Sequence, residues 1–298
     1  MDDRTREWLL DADPSIRWQA MRDLGLAREN DWAAERRRVA TEGWGARLLD
    51  LQGENGNWGR GVYSPKWTST TYTLLLLRHL GIDPRDARME AATGLVEEKV
   101  TMSGPFFDYS TETCVTGMVL ALGSYFLRDP SAVPQPEKLF ERQREDGGWN
   151  CQVSSERSSF HTTISALEGL LEYERAVGGD SAVKAARERA HEYLLQRRLM
   201  YSLRSGELIN PRWLLMSFPP RWHYDVLRGL DYLREAGIEP DTRYEEAIEM
   251  VRSKRRADGT WPVQGRHAGE VHFEMESPGR PSRWNTLRVL RVLAWYDS

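Results

Sequence analysis

The sequence predicts an all-α protein in which an inner ring of six helices lies inside an outer ring of five to six helices. Three observations support this prediction. A motif with the spacing L-x3-Q-x3-G-x-W recurs along the chain, apolar and amphipathic helical segments alternate around it, and no stretch has the apolar/polar alternation of a strand. The copies lie about 45 to 55 residues apart, a period that is typical of repeat architectures.

The motif itself indicates a helix end followed by a tight turn. Its clearest copies span residues 48–58 and 139–149, and a third copy, 251–261, has Arg255 where the others have Gln. Carbonyl groups are left without partners at the end of a helix, and a Gln side chain can bind them. We expect the Trp to pack back over the same turn. The motif is therefore predicted to tie outer helices together and to take no part in chemistry.

The helical segments between the copies fall into two alternating classes. Segments that are apolar on most faces need cover on every side, so they are assigned to the inner ring. They are 16–27, 68–80, 112–126, 161–173, 223–234 and 285–295. The charged, amphipathic segments are assigned to the outer ring: 31–51, 85–100, 136–144, 181–198 and 241–255. Segment 4–10 is the candidate for the sixth outer helix and would close the ring beside the last inner helix.

Stacked repeats share one core, so we predict that residues 1–298 form a single domain. Two stretches, at about 202–220 and 265–281, do not repeat. Long loops without structure of their own are often functional. Both precede inner helices, and we expect them to lie over one mouth of the ring.

Composition narrows the function and the compartment. The net charge is -4, which does not favour a nucleic-acid partner, and the two cysteines fit a reducing environment. The N-terminus lacks the pattern of a signal peptide, and no apolar run is long enough to span a membrane. We expect a cytoplasmic protein. Peripheral contact with a membrane and the oligomeric state are left open.

The motif at 52–58, 143–149 and 255–261 resembles the QW repeat of squalene–hopene and related triterpene cyclases. The alternating helices resemble the (α/α)6 toroid of those cyclases and of the β subunits of protein prenyltransferases. The resemblance covers nearly the whole chain. It implies an isoprenoid or other hydrophobic substrate in the central cavity, and an enzyme that is a cyclase-like isomerase or lyase or a prenyl transferase.

The chain also departs from that pattern. It lacks the Asp-x-Asp-Asp segment whose acid starts the reaction of class II cyclases, and it lacks the Asp-Asp-x-x-Asp segment of class I synthases. It has room for one toroid, whereas the cyclases have two helical domains. An acid-initiated reaction would therefore need a different acid.

In such a toroid the N-terminal ends of the inner helices point into the cavity mouth. The candidate catalytic residues at these ends are Asp108, Glu112, His161, His223 and Asp225. A carboxyl group buried among aromatic rings has a raised pKa and can act as a general acid, so we expect this of Asp108, Glu112 or Asp225.

The same helix ends provide candidates for substrate binding. Aromatic faces can stabilise a cationic intermediate. The candidates are Trp67, Phe160, Trp222, Trp284, Asn285 and Arg288. The alternative interpretation is that the Ser, Thr and Asp residues here are helix caps and that the aromatic residues belong to the core.

No cofactor is expected, although a zinc site was weighed. Cys114, His161 and His223 are of the types that bind zinc, but no Cys and His spacing supports such a site. Two other function classes stay open. One is a carbohydrate-active enzyme with aromatic platforms and a pair of carboxylates. The other is a non-catalytic module that binds a hydrophobic ligand or a partner.

Overall fold

A computed structural model describes residues 1–298, except for the side chain of Pro130. The described residues form thirteen α-helices and one pair of two-residue strands. The helices are α1 (Asp3–Leu10), α2 (Pro14–Asp23), α3 (Glu29–Arg37), α4 (Gly43–Leu49), α5 (Thr70–Leu80), α6 (Ala87–Lys99), α7 (Thr113–Phe126), α8 (Glu137–Arg142), α9 (Phe160–Val177), α10 (Ser181–Gln196), α11 (Val226–Glu235), α12 (Glu245–Ser253) and α13 (Arg283–Tyr296). The antiparallel strands are β1 (Trp261–Pro262) and β2 (Pro281–Ser282).

Six helices form a closed inner ring, in the order α2, α5, α7, α9, α11 and α13. From α5 onward each packs on the next, and α13 packs back on α2. Helices α2 and α5 are connected by a hydrogen bond, in which the indole N–H of Trp18 donates to the Leu80 carbonyl at 3.0 Å. The predicted all-α ring with six inner helices is therefore confirmed.

The outer helices cover this ring, with one difference from prediction. The segment predicted as one helix over 31–51 is divided into α3 and α4, with a 3-10 turn at Arg38–Ala40 between them. The break falls at Gly43, whose φ of +65° suits glycine and does not continue a helix. The following amide, of Trp44, donates to the Asp13 carboxylate, which caps α2. At the N-terminus, α1 packs on α2 and α13, as expected for the helix that closes the outer ring.

All three copies of the motif have the same geometry around their Trp. The indole N–H groups of Trp58, Trp149 and Trp261 donate to the carbonyls of Leu48, Leu139 and Val251 at 2.7, 2.7 and 2.8 Å. All three rings are fully buried. Each Trp therefore closes the turn onto the end of its own outer helix.

The Gln of the motif joins neighbouring outer helices. Gln52 donates to the carbonyls of Gly56 in its own turn and of Ala92 in α6. Gln143 does the same with Gly147 and with Ala186 in α10. Among the described residues, Arg255 in the third copy makes one hydrogen bond of this kind, to the Gly259 carbonyl, and it is long at 3.5 Å. These contacts are the structural role that we predicted for the motif.

A threonine in each facing inner helix completes the motif. The backbone amides of the three Trp residues donate to the hydroxyls of Thr70, Thr163 and Thr286, at 3.1, 3.0 and 2.9 Å. The motif thereby joins the outer ring to the first turns of α5, α9 and α13. This places the start of these inner helices, and hence the mouth of the ring, in a fixed position.

Candidate functional site

The centre of the ring is filled by charged side chains. Arg78 pairs with Glu172 at 2.7 Å, Arg228 with Glu168 at 2.8 Å, and Arg291 with Asp23 at 3.1 Å. Arg288 and Arg291 both contact Asp231. Burial opposes ionisation of Asp231, but the guanidiniums of Arg291 and Arg234 hold the pKa of its carboxyl well below its usual range.

The remaining cavity among these ion pairs has a volume of about 50 Å³. Cavities that bind small molecules are usually about 300–1,000 Å³. The aromatic-lined central cavity that we expected is therefore not observed, because arginine and carboxylate side chains occupy the space. Of the predicted binding residues, Trp284 and Arg288 line this small cavity.

The two non-repeating loops cover the mouth, as the sequence predicted. In the first, the Met216 and Ser217 carbonyls accept hydrogen bonds from Asn285 at 3.3 Å and from Arg288 at 3.0 Å. In the second loop, the His267 and Ala268 carbonyls accept hydrogen bonds from the indole N–H of Trp67, at 3.2 and 3.0 Å. Asn285 and Arg288, predicted to bind substrate, are engaged here in holding a loop against α13.

Most of the predicted aromatic residues are packed within this cover. Trp67, Phe160 and Trp284 are buried. Trp284 stacks on Phe218 with ring centroids 4.3 Å apart, and Phe160 packs on Trp213 at 4.7 Å. Trp222 is the exception, since it is half-buried and stacks on His223 at 3.8 Å. The interpretation of these rings as core therefore holds for three of the four.

Three histidines meet beside Trp222, and we call His161, His223 and His267 the imidazole cluster. The rings of His223 and His267 stack at 3.9 Å, and those of His161 and His223 lie 5.8 Å apart. The sequence predicted two members of the cluster. His267 comes from the second loop and was not among the predicted site residues.

The imidazole cluster is held neutral. Burial, followed by the charge of Arg228, lowers the pKa of His161 to about 4. Burial and the neighbouring imidazoles lower that of His223 to about 3, and burial and Arg221 lower that of His267 to about 4. His161 Nδ1 accepts the Tyr224 amide at 2.7 Å, so the neutral ring has its proton on Nε2. The cluster thus offers neutral N–H donors near pH 7.

Two cations flank the same rings, and we call Lys66 and Arg221 the mouth cations. The Lys66 ammonium lies 5.3 Å from the Tyr63 ring, 5.8 Å from that of Trp67 and 5.5 Å from that of Trp222. Arg221 lies over Trp67 at 5.4 Å and is 8% exposed. Among the described residues, neither cation forms an ion pair or a side-chain hydrogen bond, and burial lowers the pKa of Arg221 to about 10. The mouth therefore has two positive charges that form no ion pair among the described residues; the nearby Glu274 carboxylate pairs with Arg266.

The three predicted acids lie in different environments. Asp225 is buried, and burial raises the pKa of its carboxyl above the ordinary value. Its Oδ1 accepts the Arg228 amide at 2.8 Å, while its Oδ2 is buried without a hydrogen-bond partner among the described residues. Glu112 and Asp108 are exposed, so the burial that we expected for them is not observed. Among the described residues, Glu112 and His161 form no hydrogen bond with each other, and His161 binds the Tyr224 amide.

The three residues that were weighed as zinc ligands are not grouped as a metal site among the described residues. Among the described residues, no group of three or more His, Cys, Asp and Glu side chains is arranged to hold a metal ion. His161 and His223 lie side by side, but Cys114 lies against Cys151, whose Sγ accepts the Cys114 amide at 3.1 Å.

A wide groove of about 990 Å³ lies beside the mouth. Its walls combine the aromatic residues Phe160, Tyr193 and Trp213 with several acidic and basic side chains. An open polar groove with aromatic residues is the kind of surface on which the carbohydrate alternative depends, and that alternative stays a prediction.

Arg221 and Lys66 were missed as site residues by the sequence reasoning. Both stand directly before a tryptophan that had been singled out, in the pairs Lys66-Trp67 and Arg221-Trp222. The repeated Lys/Arg-Trp pair at two helix approaches was the available signal. That the cations have no partners could be known only from the structure.

Comparisons with known proteins add one finding. No protein-family model and no curated protein matches the chain. Among solved structures, it is similar to a variant of the type II terpene cyclase MstE from Scytonema in complex with its substrate geranylgeranyl dihydroxybenzoate. The similarity has a TM-score of 0.40 and 15% sequence identity, and it covers 96% of this chain and 86% of that chain. No helix among the described residues has the length and apolar character needed to cross a bilayer.

Proposed function

We propose that the protein binds an anionic amphiphile at the mouth of its helix ring, and that this ligand is an isoprenoid diphosphate. The single observation on which the proposal depends is Arg221, a residue that is 8% exposed and forms no ion pair or side-chain hydrogen bond among the described residues. Lys66, which is partly buried and lies over the same Trp67 ring, adds a second cation that has no ion pair among the described residues.

A charge that is buried without a partner costs several kcal/mol. Glu274, a carboxylate near Arg221, is engaged with Arg266. A bound anion would supply the missing partner for both mouth cations. Phosphate groups suit this pair, because a guanidinium binds two phosphate oxygens at once and a lysine adds a compact positive charge.

The imidazole cluster supports an anionic ligand as well. His161 directs its Nε2 proton away from the Tyr224 amide, and His267 Nε2 is buried without a partner among the described residues. Neutral imidazoles can donate hydrogen bonds to phosphate oxygens without needing acidic solution.

Apolar side chains beside Arg221 favour an amphiphile over a simple anion. Phe218, Val271, Phe273 and Met275 line a cavity of about 40 Å³ together with Arg221. This volume is too small for a prenyl chain, so the second loop would have to move outward when the chain binds. The proposed position is under this loop and outside the charged centre of the ring.

Calorimetric titration with three ligands tests the proposal. Farnesyl diphosphate contains both parts of the proposed ligand, inorganic diphosphate contains the anion alone, and farnesol contains the chain alone. We expect farnesyl diphosphate to bind best, diphosphate to bind measurably and farnesol to bind least. Binding of farnesol as tight as that of farnesyl diphosphate would contradict an anion site.

A matched pair of lysine variants localises the binding. Lys66→Gln should weaken farnesyl diphosphate binding by about tenfold or more, since a hydrogen bond to a charged group contributes about 1.5–3 kcal/mol. Lys184→Gln, on an exposed face of α10, is the control and should bind like the wild type. Equal affinities of Lys66→Gln and Lys184→Gln would place the ligand elsewhere.

An acid-initiated cyclase is the second candidate, and the environment of Asp225 favours it. Its carboxyl is buried and has a raised pKa, which is the direction that a general acid needs. Product analysis after incubation with squalene and with farnesyl or geranylgeranyl diphosphate would test this. Loss of product in Asp225→Asn, with ligand affinity retained, supports the role, and equal turnover by the variant and the wild type excludes it.

A further inference from the structure

The two cysteines of the chain are far apart in sequence but adjacent in the fold. Cys114 lies in the first turn of α7, and Cys151 follows the motif residue Trp149 in the segment that leads to α9. The backbone N–H of Cys114 donates to Cys151 Sγ at 3.1 Å, and the Thr162 hydroxyl approaches the same sulfur at 3.4 Å. Both cysteines are free and only partly buried.

The surroundings distinguish the two sulfurs. The adjacent Cys114 thiol, followed by the Thr162 hydroxyl and the Cys114 amide, lowers the pKa of the Cys151 thiol below its ordinary value. The same interaction and burial raise the pKa of the Cys114 thiol. Glu112, the nearby carboxylate, opposes ionisation of both thiols. The amide at the start of α7 points at Cys151, and helix N-termini stabilise thiolates.

We propose that Cys114 and Cys151 form a dithiol that reacts with disulfides, with Cys151 as the attacking sulfur and Cys114 as the resolving one. The substrate class is a disulfide such as oxidised glutathione. This site lies outside the mouth cations and does not depend on the proposed ligand.

The exchange balances in two steps. The Cys151 thiolate attacks one sulfur of the small disulfide, whose S–S bond breaks, and the released thiolate takes up a proton. The mixed disulfide removes the negative charge from Cys151, and with it the interaction that holds the proton on Cys114. Cys114 then loses its proton and attacks Cys151 Sγ, which releases the second small thiol. The two cysteines are oxidised to a disulfide, and the reagent is reduced to two thiols.

Intact-mass analysis with oxidised glutathione tests the assignment of roles. The reduced wild type should lose two hydrogen atoms and retain no glutathione. Cys114→Ser preserves the backbone amide that contacts Cys151, and it should accumulate one glutathione on Cys151. Cys151→Ser should react at least about tenfold more slowly, because its remaining thiol lacks the stabilised thiolate.

A measurement on the wild-type protein does not depend on whether the variants fold. Brief labelling of the reduced protein with iodoacetamide, followed by peptide mapping, should modify Cys151 before Cys114. Two stable glutathione adducts on the wild type, or no reaction, would overturn the dithiol. Equal labelling rates for the two cysteines would overturn the roles assigned to them.

Discussion

Arg221 and Asp231 are both buried charged residues, but their surroundings have opposite consequences. Asp231 lies among Arg234, Arg288 and Arg291, and its carboxyl is stabilised in the charged form. Arg221 has no such partner among the described residues, which is why we assign it to ligand binding. The sequence predicted neither environment, because the contacts of Asp231 with Arg288 and Arg291 join two different helices and the surroundings of Arg221 are made by separate segments.

Asp231→Asn should destabilise the folded protein. The substitution leaves the guanidiniums of Arg288 and Arg291 in the centre of the ring with less negative charge. Removing one partner of a buried ion pair costs about 3–5 kcal/mol, so the free energy of unfolding should fall by that amount. Urea denaturation of the variant and the wild type measures it. A loss below about 1 kcal/mol would indicate that the network contributes little.

The sequence predicted the ring of helices, but it did not predict the charged side chains that fill the centre of the ring. Helix positions followed from apolar periodicity and from the motif, in which Gln52 contacts Gly56 and Trp58 contacts Leu48 over short spacings along the chain. The division of α3 from α4 depended on Gly43 beside the Asp13 carboxylate, a contact between separate segments. The centre is filled because several inner helices direct arginine side chains toward it. The site was predicted from the residues at the ends of these helices and not from the faces that bear the arginines.

The closest approach between two inner helices gives the second prediction. A Cβ atom on Gly169 in α9 would overlap the Gly117 carbonyl of α7, and that neighbour is backbone, so it cannot rotate away. Gly169→Ala should therefore lower the free energy of unfolding by about 1–3 kcal/mol. Thermal or urea unfolding would measure the change.

Gly94→Ala in α6 is the matched control for that variant. No atom lies within 4 Å of the Cβ position at Gly94, and alanine is favoured over glycine inside a helix by about 0.5–1 kcal/mol. This variant should be slightly more stable than the wild type. If the two variants changed stability equally, the contact between α7 and α9 would be looser than described.

For the whole molecule, the histidines predict a dependence of stability on pH. All six have pKa values lowered by burial, to about 3 or 4 for His79, His161, His191, His223 and His267. Unfolded histidines titrate near pH 6.5. Between about pH 6.5 and 3 the unfolded chain thus binds more protons than the folded one. The histidine contribution is fully present above this window and is lost as the pH falls through it.

Unfolding temperatures should therefore decrease from pH 7.5 to pH 5. Asp225 and Glu276 act in the opposite direction, because their raised pKa values favour the folded state at low pH, but they are fewer. His191→Gln, in a residue bonded to the Tyr232 hydroxyl and away from the mouth, should flatten the slope. Stability that stays constant from pH 7.5 to pH 5 would contradict the neutral state of the histidines.

The most direct test of the anion site is one variant, Arg221→Gln, measured for both stability and binding. Because it removes a buried charge that has no partner among the described residues, the ligand-free variant should be at least as stable as the wild type. Its affinity for farnesyl diphosphate should fall by about tenfold or more. A less stable variant with unchanged affinity would show that Arg221 serves the fold, and would contradict an anion site at the mouth of the ring.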